Sequence, residues 1–304
     1  MPTMRLVHLS DLHFGAITMG RPEALREAVQ AVGADLTVIS GDLTQKGRYR
    51  EFVAAREFLE TLPGPRFVVP GNHDMPHGIH LWARFEHPWR TFREVMGEEL
   101  EPTLHVPGMV VAGMNSGRPG GLYVDWSRGR LSAGQLIRLR QQYLEAAPEA
   151  LRVLVVHHPP AAPPQGTRRH LIDKRPALFG ALNEAGVDLV LSGHFHLSYA
   201  VPVKLPGVHP RHFVLSVTST ATSHRLKGEP NGFHVIEGDR EHLQVQAWTW
   251  TDAAYVPTRT WQFFRGDDGD WTEAKPPPRD HKLIQIQRDR DKQRVVTDGD
   301  QSVV

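Results

Sequence analysis

At 304 residues the chain has room for one large domain or two small ones, and its 40% hydrophobic and 23% charged content is that of an ordinary globular protein. Its 35 Lys plus Arg stand against 34 Asp plus Glu, so no global field draws it to nucleic acid or an anionic membrane. The chain has no cysteine, which excludes disulfides, thiolate metal sites and Cys nucleophiles; any metal must be held by O and N donors, and 18 His are at hand.

The first apolar run, Leu6-Val7-His8-Leu9, is too short for a signal-peptide core and is followed by Asp11 and His13 rather than a cleavage site. No stretch approaches the ~20 apolar residues of a membrane span. The expected location is the cytoplasm. Short β-branched or Leu-rich runs then alternate with stretches of helical spacing, which predicts an α/β architecture with buried strands. Strands are expected over 5–10, 36–40, 67–70, 110–114, 153–156, 189–192, 213–218, 232–236 and 243–250. Helices are expected over 22–32, 49–61, 81–96, 132–146 and 176–185, with Ser132 as an N-cap and Gly186 as a C-terminal stop. From Phe213 onward the helices cease, which predicts an antiparallel section added to the main sheet. Past Trp271 the run Pro276-Pro277-Pro278 opens a charged stretch poor in core-forming residues. The expected division is a catalytic domain over 1–274 and a charged tail over 275–304.

Five polar clusters each follow a predicted strand: Asp11-Leu12-His13, Gly41-Asp42, Gly71-Asn72-His73-Asp74, His157-His158-Pro159 and Gly193-His194-Phe195-His196. In an open α/β sheet the loops at the carboxyl ends of strands gather at one edge, where sites are built. Singly, each cluster has an ordinary reading; Asn-His-Asp, for instance, suits an Asx turn. Jointly and in this order they do not. The glycines before Asp42, Asn72 and His194 suit tight turns or positive φ. His158, adjacent to His157 on an expected strand, should point the other way. His8 reads as a strand residue.

With these five clusters in this order, the chain resembles the calcineurin-like metallophosphoesterases, whose pattern is D-x-H, G-D, G-N-H-D, H-x-P and G-H-x-H. It is most similar to the bacterial group of class III cyclic-nucleotide phosphodiesterases and glycerophosphodiesterases. The resemblance implies a four-layer αββα sandwich of two mixed β-sheets flanked by helices. It also implies two divalent transition-metal ions per chain (manganese, iron or zinc). Asp11, His13, Asp42 and His196 would hold one ion, and Asp42, Asn72, His157 and His194 the other, with Asp42 bridging. The implied reaction is hydrolysis of a small phosphodiester, a cyclic nucleotide or glycerophosphodiester, by a metal-bound hydroxide. His73 would stand by the phosphate as an imidazolium or proton donor, its ring oriented by Asp74. After the predicted strand at 213–218, His224 and Arg225 are candidate substrate contacts.

The other readings are a pyrophosphatase of nucleotide-sugar lipid precursors, a nuclease, and a scaffold that has lost catalysis. The neutral charge balance weighs against a nuclease. The complete ligand set weighs against a scaffold. Homo-oligomerisation is left open.

Overall fold

The computed structural model describes residues 4–77, 81–120, 127–164, 171–173, 175–206 and 211–274. The charged tail expected over 275–304 lies outside the described residues. The elements, in chain order, are β1 (Met4–Leu9), α1 (Arg21–Val32), β2 (Leu36–Ile39), α2 (Tyr49–Glu60), β3 (Arg66–Val68), a 3-10 turn at Asn72–Asp74, α3 (Leu81–Glu86), α4 (Arg90–Met96), β4 (Thr103–Val106) and β5 (Met109–Met114). They continue with α5 (Ala133–Leu144), β6 (Leu151–Val156), α6 (Arg175–Ala185), β7 (Leu189–Ser192), β8 (Tyr199–Leu205), β9 (Arg211–Val217), β10 (Gly232–Gly238), β11 (His242–Thr251), β12 (Ala254–Arg265) and β13 (Trp271–Glu273).

Two mixed sheets result, one of seven strands ordered β13-β12-β11-β10-β1-β2-β3 and one of six ordered β4-β5-β6-β7-β9-β8. Their facing sides share a core that includes Leu6, Val38, Val111, Val153, Leu191 and Phe263. The odd-even alternation of the strands supplies two further cores. Val7 and Leu9 pack outward against Leu25 and Val29 of α1 and Phe52 of α2, and Leu154 and Val156 pack against Leu139 of α5 and Leu182 of α6. Because both faces of the central strands are covered, β2, β5 and β7 read as continuous apolar runs. Each such side chain contributes ~1.5–3 kcal/mol on burial. The architecture is the four-layer αββα sandwich.

Several local expectations hold. Ser132 accepts from the Gln135 N–H and Gln135 reaches back to Ser132, closing a capping box on α5. Gly186 follows α6 with φ +65°. Three expectations do not hold. The helix over 81–96 is two helices, because Pro88 has no N–H to donate and pushes His87 out of helical backbone. β9 does not belong to the antiparallel section: it lies parallel to β7 in the second sheet, and the antiparallel run begins at β10. Strands β4, β8, β12 and β13 were not expected. β4, β8 and β13 are sheet edges; β8 carries Pro202, and β12 carries Pro257, which pairs with Trp248 where the β11 register shifts. Among the described residues no helix is long and apolar enough to cross a membrane.

Candidate metal centre

All five polar clusters sit just beyond the carboxyl ends of β1, β2, β3, β6 and β7. They converge. The donor atoms of Asp11, His13 and His196 lie within 4.8 Å of one another, as do those of Asp11, Asp42 and His157, and those of His157, His158 and His194. Asp42 stands between the groups: its Oδ2 is 3.8 Å from His13 Nε2 and 3.3 Å from His157 Nε2. Asn72, on the 3-10 turn, is buried.

The backbone at this centre is unusual. Among the described residues the non-glycine positions with positive φ are Asp11 (53°), His13 (50°), Asp42 (53°), His194 (69°) and His196 (55°). Left-handed backbone is disfavoured for L-residues and collects at functional sites. Every one of the five is an expected ligand. Of the three glycines expected to need special backbone, only Gly41 does so through φ, at +100°. Gly71 and Gly193 are required for space: a Cβ on Gly71 would strike Asp42, and one on Gly193 would strike Ser10 Oγ. Gly71→Ala should therefore lower both melting temperature and metal content. Gly180→Ala in α6, where a Cβ meets nothing within 4 Å, should instead stabilise by ~0.5–1 kcal/mol. Thermal melts of both variants check the contrast.

Second partners set the histidine tautomers. His13 Nδ1 donates to Thr44 O (3.2 Å), His196 Nδ1 to Arg225 O (2.6 Å) and His157 Nδ1 to Ser40 O (2.8 Å), since a carbonyl can only accept. Each Nε2 then presents a lone pair to the centre when the ring is neutral. His13 Nε2 and His196 Nε2 face each other at 3.2 Å, with Asp11 Oδ1 at 3.6 and 3.1 Å from them. Asp11 Oδ1, Asn72 Oδ1 and His157 Nε2 are buried with no hydrogen-bond partner among the described residues. Lone pairs so crowded repel unless a cation lies among them, and an O/N set of this kind suits a divalent transition metal. The residues fit such ions.

The ionisation states of Asp11, Asp42 and His194 agree with that donor set. Burial would raise Asp11 and Asp42, but the surrounding histidines hold both well below the usual carboxylate range. Burial, then His158 and His157, push His194 well down. Burial lowers His157 too, yet the Asp42 carboxylate outweighs it and raises that ring to about 9, so a cation binding at its Nε2 has to displace a proton.

His73 lies beside the cluster, its ring centroid 4.9 Å from that of His13. Its Nδ1 donates to Gln45 O (2.9 Å) and its Nε2 accepts from Arg225 Nη1 (3.1 Å). Burial, the largest influence, brings its pKa down to about 4. The ring is neutral, and the positive charge at this position belongs to Arg225. Asp74 does not orient the ring: its carboxylate accepts from Leu43 N, Thr44 N, Thr44 Oγ1 and Gly71 N, stapling the β2 and β3 loops together. His224 is exposed, while Arg225 alone of that pair reaches His73.

Some functional neighbours escape sequence reasoning. His158 is buried against His194, ring centroids 4.5 Å apart, because it lies past the end of β6 where the strand pleat no longer separates neighbours. Thr220 and Thr222 donate to the Asp11 and Leu12 carbonyls (2.6 and 2.7 Å), and Ser223 to Ala16 O (3.0 Å), locking the loop after β9 onto the first ligand loop. The dense hydroxyl run Thr218–Ser223 was the available signal.

A family model described as calcineurin-like phosphoesterase matches residues 4–198. The chain belongs to this family. Similar members include a probable cyclic nucleotide phosphodiesterase of Synechococcus sp., 27% identical over 213 residues that span 65% of this chain and 75% of that protein. A probable glycerophosphodiester phosphodiesterase of Arcobacter nitrofigilis is 32% identical over 127 residues, spanning 41% of this chain and 42% of that one. Among solved structures, a dimetal phosphatase from Danio rerio aligns with TM-score 0.58 at 12% identity, covering 84% of this chain and 98% of its own. A purple acid phosphatase from yellow lupin seeds aligns with TM-score 0.59 at 12% identity, covering 85% and 53%. At such identities these likenesses show the fold. The family implies divalent metal ions, and the donor set accommodates them.

Proposed function

We propose that this family member hydrolyses a small phosphodiester at a dinuclear centre. One ion would be held by Asp11, His13, Asp42 and His196, the other by Asp42, Asn72, His157 and His194. The observation that carries the reading is Asp42, whose Oδ2 lies between histidines of both groups, as a bridging carboxylate must. Divalent ions held by these residues would supply charge neutralisation for the phosphate and activation of the attacking water.

The chain's own groups supply the rest. Arg225 points a guanidinium at the phosphate position, held there by Gln45 Oε1 (3.2 Å) and His73 Nε2. His73 acts as a neutral support for Arg225. Burial of the whole cluster strengthens every charge interaction within it. Asn72 contributes a neutral oxygen, which limits negative charge opposite an anionic substrate. Lys227 Nζ, 3.4 Å from His194 O, adds a second cation on the exposed side. Two isolated cations suit a small anion, whereas a nucleic acid would need an extended basic track.

Metal analysis of gently purified protein is expected to give two transition-metal ions per chain. The reconstituted protein should hydrolyse bis-p-nitrophenyl phosphate and at least one cyclic nucleotide or glycerophosphodiester, and chelation should abolish this. Turnover confined to nucleotide-sugar pyrophosphates or monoesters would refute the substrate class; two metals without any turnover would favour the scaffold reading.

A further inference from the structure

At the opposite ends of the same strands lies a second concentration of charge. Arg152 is the second residue of β6, Asp188 precedes β7 and Arg211 opens β9, while Arg240 lies in the turn from β10 to β11 and Arg265 closes β12. Asp188 is fully buried. Its Oδ2 accepts from the Arg152 backbone N–H (3.1 Å) and its Oδ1 from Trp271 Nε1 (3.3 Å). Arg240 Nε comes to 3.3 Å and Arg211 Nη2 to 3.8 Å of the same carboxylate, near enough for attraction but not aligned as hydrogen bonds.

One carboxylate thus stands against the guanidiniums of Arg211 and Arg240, and attracts those of Arg152 and Arg265 at longer range. Arg152 Nε, Arg211 Nε and Nη2, and Arg240 Nε are buried with no acceptor among the described residues. Arg152 Nη1 and Arg211 Nη1 both crowd Gly186, where a Cβ would meet them at 2.5 and 3.3 Å. Buried cationic donors without acceptors are costly, and one carboxylate would be matched by one guanidinium. Arg152 and Arg265 are each drawn below the ordinary guanidinium range, first by burial and then by repulsion within the group. Two carbonyls serve the cluster, Ala185 O for Arg152 Nη1 (3.0 Å) and Gly269 O for Arg265 Nε (3.2 Å), but among the described residues the donors named above have no acceptor oxygen.

We propose that Arg152, Arg211, Arg240 and Arg265 form a second anion site, for a phosphate-class oxyanion, separate from the metal centre. A phosphate group offers several charged oxygens that can each take a forked guanidinium, which a single carboxylate already committed to Arg152 N–H and Trp271 cannot do. Its source is free phosphate or a phosphate monoester. Binding would stabilise the fold by satisfying the idle donors.

Calorimetric titration of the metal-loaded protein tests this without relying on turnover, with inorganic phosphate in one arm and AMP in the other. Two classes of phosphate site are expected in the wild type. Arg211→Gln/Arg240→Gln should retain only one, with phosphate inhibition of any diesterase activity unchanged. Tighter binding of AMP than of phosphate at the second site would identify a monoester, and the reverse the free ion. A single class in the wild type, or two classes surviving in the double variant, overturns the proposal. Should the double variant misfold, Arg265→Gln is expected to weaken the second site by about tenfold; unchanged affinity there overturns it equally.

Discussion

Asp42→Ala is expected to empty both metal positions at once and to lower diesterase turnover by roughly 10³-fold or more. The reason is positional. Its Oδ2 stands 3.3 Å from His157 Nε2 and 3.8 Å from His13 Nε2, while its Oδ1 accepts from the His73 backbone N–H at 2.8 Å. Removing the carboxylate leaves both histidine groups without their common anion and releases the turn that carries Asn72. His13→Ala, which touches one group only, should lose close to one ion. Metal content measured for the two variants after identical reconstitution separates the cases. If Asp42→Ala keeps two ions, the bridging arrangement is wrong, whatever happens to turnover.

The second large effect concerns Arg225. Arg225→Ala is expected to reduce kcat on the order of 10²-fold with metal content intact, because it removes the cationic donor proposed to meet the phosphate. His73→Ala should cost a similar amount, and the two losses should not add, since Arg225 Nη1 and His73 Nε2 are 3.1 Å apart and act as a unit. With burial bringing His73 to about 4, the ring is no imidazolium at neutral pH, and its one N–H is committed to Gln45 O. Its loss should therefore slow alkyl and p-nitrophenyl diesters equally. Nor should wild-type kcat fall as pH rises through 6.5, as loss of an imidazolium acid would require. A much greater loss on the alkyl diester, or additive losses in the double variant, would return His73 to the role of proton donor.

Much of this was legible in the residues because burial and chemistry leave local marks. Continuous apolar runs such as Val153–Val156 identify strands covered on both faces, and the polar cluster just after each run marks a loop that converges on the candidate centre. What escaped depends on distant partners. β8 and β12 carry prolines and mixed polarity that local pattern reads as loop; they are strands because β9 and β11 supply the ladders. Asp74 looked like a partner for its neighbour His73, but Leu43 and Thr44, some thirty positions away, offer N–H groups at 3.2 and 2.9 Å. His158 was expected to turn away by strand alternation, which stops applying one residue earlier. Arg225 could be named as a candidate but not oriented, because its loop is fastened through the Thr220 and Thr222 hydroxyls to the Asp11 and Leu12 carbonyls, two hundred residues upstream.

The left-handed backbone at Asp11, His13, Asp42, His194 and His196 also bears on how this chain can evolve. Asp and His tolerate that conformation better than most side chains, yet glycine would occupy it with less strain, by roughly 1 kcal/mol per position. The proposed ligands would thus be retained against a mutational pull toward glycine, opposed by their hydrogen bonds and by the cations they would hold. A lineage freed from selection for hydrolysis should lose these five positions early and gain thermal stability as it does so. A reconstructed inactive descendant should carry glycine or asparagine at several of these five positions.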